Sequence, residues 1–312
     1  MDKVSQYEHI LWALKHSRYV SGTDLASALS VSRTVINRRL QELEAMDLRI
    51  HAVTGKGYHL DSQVSLLDDT LVDLGRGFLF RRHLITRSTN EDVLAMAGIQ
   101  PGNIVVATEY QTEGRGRRGR GWHSSFGQDL AFSVGFVAPS ADTLRPFSLC
   151  VGILLARALR RLFALDVRIK WPNDLWVGEA KLSGILTELH TLNGQLYVIV
   201  GAGMNVNRTD FEGIDQAATS LRREMGHLID RGELLNALSG EIAKAVRDDF
   251  SLDWYNLWPE YDALLNLPVS VQQSGVEYLG KGKGITRDGA FLLETPEGEH
   301  RFSGGEVRVR PR

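Results

Sequence analysis

The chain has 312 residues, of which 43% are hydrophobic and 24% charged, and its formal net charge is −2. This length allows two or three domains with their own cores, and the balanced charge excludes nucleic-acid binding through overall charge. The single cysteine, Cys150, excludes an intramolecular disulfide framework and a CxxC zinc site. The polar start MDKVSQYEHI is not a signal peptide, and every long apolar run is interrupted by arginine. We therefore expect a soluble, cytoplasmic protein with no membrane partner.

The first sixty residues predict three helices and a hairpin. Apolar residues recur at helical spacing over residues 4–14, and TDLASALS predicts a second, short helix with a polar cap. A tight turn at residues 31–32 leads to a third helix over residues 33–46, and two strand-like runs then flank the glycine turn at residues 54–57. This order of elements is that of a winged helix-turn-helix.

The third predicted helix has a polar face suited to DNA. The candidate DNA-binding residues lie on that face, at its start and in the hairpin turn: Ser32, Arg33, Thr34, Asn37, Arg38, Arg39 and Lys56. A recognition helix places such side chains in the major groove, and a lysine of the wing lies near phosphate. The alternative is a solvated helix face on a small domain that makes protein contacts. We assign residues 1–62 to this domain.

The middle of the chain mixes strands and helices. NIVVATEYQ, LAFSVGFVA and LYVIVGAGMNV are rich in β-branched and aromatic residues and predict strands. FSLCVGILLARALRRLF predicts a buried helix, EDVLAMAG and GELLNALSGEIAKAVRDDF predict amphipathic helices, and residues 61–80 also have helical character. The order predicts an α+β catalytic domain with a mixed or antiparallel sheet over residues 63–264.

The last fifty residues change character again. LPVSVQQ, VEYLGKGKGIT, GAFLLETPEG and HRFSGGEVRVR predict short alternating strands separated by glycine turns. They predict a small SH3-like β-barrel over residues 265–312.

Residues 114–121, GRGRRGRG, admit three interpretations: a basic arm for nucleic acid, a G-x-G-x-x-G dinucleotide turn, or a mobile loop that closes on an anion. A dinucleotide turn requires a following helix and an acidic residue about twenty positions on. The next residues, RGWHSSFGQDL, have no helical period, and the region twenty residues on, VAPSAD, has the composition of a loop with only Asp142 nearby. The dinucleotide interpretation therefore fails.

The position of this loop separates the two remaining interpretations. It lies between two predicted strands in mid-domain, which disfavours a nucleic-acid arm. Glycine lets backbone approach a ligand closely, and arginine binds phosphate or carboxylate through paired hydrogen bonds. We predict a loop that an anionic ligand orders, with a solvated basic loop as the alternative.

Three further clusters combine polar residues with predicted turns. KWPNDL and KLSGIL bring together two lysines, an asparagine and Asp174; a lysine supplies positive charge where negative charge develops, and a carboxylate orients a cation or accepts a proton. Residues 87–90 precede a predicted helix, and GAGMNVN ends a predicted strand with two amides. Taken singly, the lysine cluster is more typical of turn or surface residues and residues 87–90 of a helix cap, while GAGMNVN indicates either a bulge or a place where a ligand meets backbone.

Taken in order, Ser88-Thr89-Asn90, Glu109-Tyr110-Gln111, the GRGRRGR loop with Trp122, KWPNDL, KLSGIL, GAGMNVN and the C-terminal GGEV resemble biotin–protein ligases. With the winged helix, the whole chain resembles the bifunctional type that is also the biotin operon repressor. The resemblance implies that ATP and Mg²⁺ activate biotin as biotinyl-5′-adenylate. Biotin then passes to one lysine of the biotin carboxyl carrier protein of acetyl-CoA carboxylase. It also implies an adenylate-bound homodimer that binds a biotin operator of two half-sites.

The same resemblance assigns roles to residues. The catalytic residues it implies are Lys181, Arg115, Arg117 and Asp174. The biotin and adenylate contacts it implies are Ser88, Thr89, Asn90, Gln111, Arg115, Gly116, Arg117, Arg118, Trp122, Asn173, Lys181, Gly184 and Asn205. In these roles Lys181 lies near the carboxylate and α-phosphate, and Asp174 steers the acceptor ammonium with Asn173 positioning it. The adenine cover falls near residues 210–221, where Phe211 is the single aromatic residue, and no metal ligands are identified.

Two other functions compete with this one. A regulator whose central domain senses a ligand without catalysis does not need the complete loop of residues 114–121, the arginine loop, together with Lys181. A ligase of lipoate or octanoate is the second alternative, because those enzymes resemble the central fold. The pairing of GRGRRGR with KWPND favours biotin.

Overall fold

The computed structural model describes residues 2–62, 64, 66–67, 72–100, 102–138, 147–214 and 216–309. These residues form a helical unit with a two-stranded hairpin, a seven-stranded sheet with helices on both faces, and a five-stranded antiparallel sheet. The predicted α+β class and the order of its three parts are confirmed. The exact domain boundaries stay predictions. None of the helices within the described residues is long and apolar enough to cross a membrane.

The N-terminal unit has the predicted winged helix-turn-helix order. Its helices are α1 Lys3–His16, α2 Gly22–Leu29 and α3 Arg33–Glu44, and its hairpin pairs β1 Ile50–Val53 with β2 Gly57–Leu60. The hydroxyls of Ser21 and Ser32 accept hydrogen bonds from the backbone N–H groups three residues on, which caps α2 and α3. The helix α3 ends two residues earlier than predicted, because Glu44 is its last helical residue.

The central unit is built on one mixed sheet. Its strands are β3 Phe78–Thr86, β4 Asn103–Gln111, β5 Leu130–Val137, β6 Val167–Lys170, β7 Asp174–Val177, β8 Ala180–Leu192 and β9 Gln195–Met204. Their spatial order is β3-β4-β5-β9-β8-β7-β6, and β3–β4 is the one parallel pair among these strands. The helices are α4 Thr89–Ile99, α5 Phe147–Phe163, α6 Leu221–Met225, α7 Arg231–Arg247 and α8 Trp254–Tyr261. The mixed sheet predicted from the sequence is confirmed.

The two faces of this sheet differ. One face carries Val200 and Ala202 of β9 into a large apolar core shared with α5 and α7. The opposite face carries Ile199 of β9, which packs with α4. Since side chains alternate along a strand, Gly201 and Gly203 lie on the α4 side. Glycines on that face leave room for a cavity above the strands.

Residues 61–80 differ from their prediction. Their helical character does not produce a helix in the described part, residues 61–62, 64, 66–67 and 72–80, and the strand β3 begins at Phe78. Leu67 is buried, and its N–H donates to the Glu109 carboxylate at 2.6 Å, which attaches this residue to β4. At Leu67 a tertiary contact therefore takes precedence over the local helical character. Residues 63, 65 and 68–71, and positions 139–142 of the VAPSAD segment, lie outside the described residues.

The C-terminal unit, predicted as a small SH3-like β-barrel, is a five-stranded antiparallel sheet. Its strands are β10 Pro268–Gln273, β11 Val276–Ile285, β12 Phe291–Thr295, β13 Gly298–Phe302 and β14 Glu306–Val309, in the order β13-β12-β11-β10-β14. Its apolar residues belong to the same core as the central sheet. Trp171 joins the two units, because its indole N–H donates to the Gly289 carbonyl at 3.0 Å and its ring packs beside Phe291.

The N-terminal unit also packs on the central unit. The ring of Phe126 is fully buried in the apolar core of the winged helix and stacks with Tyr110 of β4. The Phe126 N–H donates to the Met46 carbonyl at 3.0 Å, and the Ser125 hydroxyl bonds to Asp47 at 3.2 Å. The segment that follows the arginine loop is thus fixed to the turn after α3.

Candidate functional site

A cavity of about 200 Å³ lies above the glycine-bearing face of the central sheet. Its walls bring together residues far apart in sequence, and they include every substrate-binding candidate except Asn205: Ser88, Thr89, Asn90, Gln111, Arg115, Gly116, Arg117, Arg118, Trp122, Asn173, Lys181 and Gly184, with Asp174 beside them. The residues predicted from five separate motifs therefore share one cavity.

One end of the cavity is a network of uncharged polar groups at the start of α4. The Gln111 side-chain oxygen accepts hydrogen bonds from the Thr89 N–H at 2.9 Å and the Thr89 hydroxyl at 3.2 Å. The Ser133 hydroxyl lies 2.6 Å from the Thr89 hydroxyl and donates to the Asn90 side-chain oxygen at 2.6 Å. Thr89, Asn90 and Ser133 are buried, Gln111 is half-buried, and all four are held by hydrogen bonds, so this end suits a neutral ligand with its own donors and acceptors.

Ser88 does not act as the helix cap that its position allows. It is the residue before α4, but its hydroxyl makes no capping hydrogen bond to the helix backbone. Its side chain is buried and lines the cavity. The local sequence is equally consistent with a cap, so only the structure separates the two roles.

The arginine loop folds as a small hairpin against the cavity. The Trp122 N–H donates to the Gly114 carbonyl and the Gly116 N–H donates to the Arg120 carbonyl, both at 2.7 Å. A side chain at position 114 would place its Cβ 2.4 Å from the Trp122 carbonyl oxygen, so this position requires glycine. The loop is neither an arm nor a dinucleotide turn. It forms a wall of the cavity.

The loop arginines point in different directions. Arg115 forms ion pairs with Glu91 at 3.3 Å and Glu188 at 3.7 Å, and Arg120 reaches the C-terminal unit through Glu306 at 2.6 Å. Arg117 turns inward, where burial and then the neighbouring charge of Arg118 lower its pKa. An anionic ligand would relieve the cost of that desolvated cation.

Trp122 covers part of the cavity floor. Gly203 allows its indole ring to lie against β9, since a Cβ at that glycine would fall 2.3 Å from the ring atom Cε2. The ammonium of Lys181 lies 5.8 Å from the ring centre. The indole N–H is buried and has no hydrogen-bond partner among the described residues. It is available to a ligand oxygen in the cavity.

The other end of the cavity is charged. The Lys181 ammonium pairs with the Asp174 carboxylate at 2.9 Å, and both side chains are mostly buried. Lys170 lies over the Trp176 ring at 4.5 Å, and burial lowers its pKa, with the charge of Lys181 acting in the same direction and Asp174 opposing it. Among the described residues, six cationic and two carboxylate side chains line the cavity. This excess of positive charge suits a polyanionic ligand such as a nucleoside triphosphate.

Asn173 and Asn205 support this end from different positions. The Asn173 amide donates to the Ile185 carbonyl at 2.8 Å, which holds the turn before β7 against β8. Asn205 does not line the cavity, contrary to the position expected for an adenylate contact. Its buried amide donates to the Lys181 and Thr219 carbonyls at 3.3 and 3.0 Å. It holds the backbone of Lys181 from behind.

Several cavity residues have no assigned role in the sequence prediction: Arg120, Lys170, Gln216 and Glu306. Lys170 belongs to the KWPND motif and Glu306 to GGEV, so the motifs contain a signal for both. Gln216 lies in the segment expected to cover adenine, whereas Phe211 packs beneath Arg208 and Arg223 and is not on the wall. No group of three or more His, Cys, Asp or Glu side chains within the described residues is arranged to hold a metal ion.

A second candidate site is the exposed face of α3. Arg33, Thr34, Asn37 and Arg38 are exposed there, as is Lys56 in the hairpin turn, and Ser32 caps the helix. The Tyr58 hydroxyl donates to Asn37 at 3.0 Å, which joins α3 to the wing. Arg39 departs from this arrangement, because it bonds to Gln6 at 2.7 Å and Glu42 at 2.8 Å and is largely buried. It fixes α3 to α1 instead of facing solvent.

Comparisons with known proteins agree with this division of the chain. Residues 80–205 match the model of the Biotin/lipoate A/B protein ligase family, residues 7–59 match an HTH domain, and residues 264–310 match the Biotin protein ligase C terminal domain. The chain is 34% identical over 309 residues to the Bifunctional ligase/repressor BirA of Escherichia coli (strain K12), covering 95% of each chain.

Two further likenesses concern the catalytic part. The chain is 33% identical over 208 residues to the Biotin--[acetyl-CoA-carboxylase] ligase of Mycobacterium tuberculosis, covering 63% of this chain and 73% of that one. The solved structure of the Biotin protein ligase from Aquifex aeolicus in complex with biotin and ATP aligns with a TM-score of 0.63 at 26% identity. The alignment covers 76% of this chain and all of that one.

Proposed function

The chain belongs to the family of bifunctional biotin ligase/repressors, and from that membership we propose how its cavity and its winged helix work. The protein is an ATP-dependent biotin–protein ligase that is also a transcriptional repressor. The observation that carries the ligase function is a single cavity in which an uncharged polar end meets a cation-lined end under the arginine loop. A ligand-sensing regulator has no need of the second end. The whole set of motifs favours biotin over lipoate or octanoate.

The uncharged end takes the biotin head group. A ureido ring is neutral and presents both donors and acceptors, which Thr89, Asn90 and Gln111 complement. The valerate chain then runs over the glycines of β8 and β9 toward the cations. This orientation brings the carboxylate of biotin to the end of the cavity where Lys181 lies.

The cation-lined end joins the carboxylate to ATP. A carboxylate oxygen attacks the α-phosphorus, a new O–P bond forms, and the bond to the leaving pyrophosphate breaks. Both reactants are anions, so Lys181, Arg117 and Lys170 stabilise the charge that gathers between them. The product is biotinyl-5′-adenylate.

Magnesium enters with the nucleotide in this scheme. The described carboxylates of the cavity, Asp174 and Glu306, already pair with Lys181 and Arg120, and they do not form a metal-binding group. Mg²⁺ commonly keeps its waters and is held mainly by substrate phosphates, which this cavity permits. The residues present therefore fit an ion delivered as Mg·ATP.

The second half-reaction needs a lysine amine from a carrier protein. A cleft of about 210 Å³ shares Arg117, Asn173 and Ile185 with the cavity and continues toward Gly289 of the C-terminal unit. The acceptor lysine approaches through this cleft. The amine attacks the acyl carbon and AMP leaves, while Asp174, released from Lys181 by the phosphate, orients the incoming ammonium and takes its proton. The acceptor is the biotin carboxyl carrier protein of acetyl-CoA carboxylase, in line with the carboxylase that the name of the mycobacterial relative specifies.

Operator binding uses the exposed face of α3 and the wing. Arg33, Asn37 and Arg38 have the exposure and chemistry to contact base edges and phosphate. An operator of two half-sites requires a dimer. The strand β8 offers an edge for it, because from Leu186 onward β8 pairs with β9 alone among the described strands. Leu189 on this edge is 48% exposed. The adenylate-bound homodimer and the cytoplasmic location stay predictions.

One assay tests the ligase function. The purified protein is incubated with ATP, Mg²⁺ and either biotin or lipoate plus an apo carrier domain, and the carrier mass is measured. A mass increase with biotin and none with lipoate is expected. Folded protein that modifies the carrier with neither acid, or with lipoate alone, would refute the proposal.

For the repressor function, operator binding is compared with and without biotin and ATP; equal affinity in both conditions would refute a ligand-dependent repressor.

A further inference from the structure

Glu188 of β8 stands outside the cavity but contacts two of its wall residues. One carboxylate oxygen, Oε2, accepts a hydrogen bond from the Asn90 side-chain amide at 2.9 Å. The other, Oε1, lies 3.7 Å from the guanidinium of Arg115 in the arginine loop. One side chain therefore connects the uncharged end of the cavity to the loop that covers it.

The contact with Asn90 fixes the direction in which that amide points. The Asn90 oxygen accepts from the Ser133 hydroxyl at 2.6 Å, and its nitrogen donates to Glu188. Exchange of the oxygen and nitrogen would place an acceptor against the Glu188 carboxylate, whereas the Ser133 hydroxyl could accept from the nitrogen, so Glu188 is the partner that selects the orientation. A Cβ at Gly201 would fall 2.3 Å from the Asn90 oxygen, so the amide is also confined from the side of β9. One N–H of the amide is left for a ligand in the cavity.

The contact with Arg115 supplies countercharge to the loop. Glu91 at the start of α4 shares the same guanidinium at 3.3 Å, so two carboxylates hold one arginine. All three side chains are partly exposed, with Arg115 at 44%, Glu91 at 34% and Glu188 at 28%. Only Glu188 also touches the amide network, which separates its role from that of Glu91.

We propose that Glu188 is a positioning residue that ties the orientation of Asn90 to the seating of the arginine loop. It does not touch the substrate. This inference rests on the proposed ligase function, because it assumes that Asn90 binds biotin and that the arginine loop closes over it. Biotin that engages Asn90 stabilises the Asn90–Glu188 bond, and the same carboxylate then holds Arg115 over the bound ligand.

Three variants separate the two contacts. Glu188→Gln keeps an oxygen acceptor for Asn90 but removes the charge that Arg115 needs. Glu188→Ala removes both contacts, and Glu91→Gln weakens the contacts of Glu91 with Arg115 and, at 3.9 Å, with Arg87, while the Asn90 bond to Glu188 stays. Each full-length protein is studied by calorimetric titration with biotin, by the dissociation rate of preformed biotinyl adenylate, and by hydrogen exchange at the Trp122 amide without ligand.

We expect Glu188→Ala to weaken biotin binding about tenfold or more, and Glu188→Gln to restore it to within about threefold of the wild type. All three variants should release adenylate faster and lose protection at Trp122, because Arg115 is held less firmly. Equal biotin affinity of Glu188→Ala and wild type, or equal losses in Glu188→Ala and Glu188→Gln, would overturn the proposal. If the wild-type protein binds no biotin, the ligase function is refuted instead. In that case the exchange data still test Glu188: unchanged Trp122 protection in Glu188→Ala would overturn its proposed role in holding the arginine loop.

Discussion

Replacement of Gly203 by alanine should impair catalysis without unfolding the protein. The added Cβ would lie 2.3, 2.6 and 2.8 Å from the Trp122 ring atoms Cε2, Nε1 and Cδ2. Carbon atoms in ordinary contact are about 3.5 Å apart, so the indole must move by about 1 Å. Trp122 directly follows the arginine loop, bonds to its Gly114 and lines the cavity, and its displacement carries the loop away from the bound ligand.

The size of the effect follows from the cost of overpacking. One added methyl in a packed environment costs about 1 to 3 kcal/mol. The loop lies at the surface, where Arg115, Arg118 and Arg120 are exposed, so it can shift with the indole in the free protein and we expect this cost to fall on the ligand-bound state. A loss of that size corresponds to about a 5- to 150-fold lower kcat/KM for ATP in biotin-dependent pyrophosphate release.

The matched control is Gly98→Ala. A Cβ at Gly98 meets no atom within 4 Å, and alanine favours the helix α4 in which this residue lies. Pyrophosphate release is measured at varied ATP, and thermal melts check folding. We expect Gly98→Ala to retain wild-type kcat/KM, while Gly203→Ala loses it with little change in Tm. A Gly203→Ala protein within about twofold of the wild type would show that the indole is not part of the working cavity.

Further outcomes follow from the charged residues. Lys181→Gln should slow adenylate formation about 100-fold or more in single-turnover assays while biotin binding is retained; an unchanged rate would remove Lys181 from the reaction. Arg38→Ala should weaken operator binding and reduce its salt dependence by about one ion, whereas the inward-facing Arg39→Ala should mainly lower the free energy of unfolding by about 1 to 2 kcal/mol; the reverse pattern in anisotropy and denaturant titrations would contradict the structure. Burial alone would raise the pKa of Glu42, but hydrogen bonds from Tyr7, Arg39 and Lys3 outweigh it and lower that pKa to about 2 from 4.5. The resulting stability is present above pH 4.5 and lost as the pH falls toward 2, so Glu42→Gln should flatten the acid dependence of Tm, and parallel curves would argue against it.

Local patterns in the sequence predict the elements of this fold well. The strand-like runs and the amphipathic stretches of the central unit became β4, β5, β9, α4 and α7, because alternation and helical spacing report directly on one buried face. The glycine turns of the last fifty residues likewise separate real strands. The helical character of residues 61–80 produced no helix in their described part, where a long-range bond joins Leu67 to Glu109 of β4.

The cavity was harder to predict than the elements around it. Its motifs were recognisable as a set, yet no local signal distinguishes Asn205, which supports Lys181 from behind, from the amides that face the cavity. Arg39 was grouped with Arg38 on the polar face, but consecutive helical residues lie about 100° apart. Arg39 is one turn from the buried Ile36 and Leu43, where it bonds to Gln6 of α1. Glu306 approaches the arginine loop from a different unit, so its role depends on how the units pack.

The burial of Phe126 limits how freely the three units can be exchanged among related proteins. This residue comes a few positions after the arginine loop, yet its ring completes the apolar core of the winged helix, and its backbone bonds to Met46. In a chimera with the winged-helix unit of a related protein, the core of that unit is shaped for a different residue at position 126. Such chimeras should therefore regain full catalysis only when residues 123–128 are taken from the same protein as the N-terminal unit. The unit that must be exchanged as a whole therefore comprises the winged helix and residues 123–128, which are not continuous in sequence.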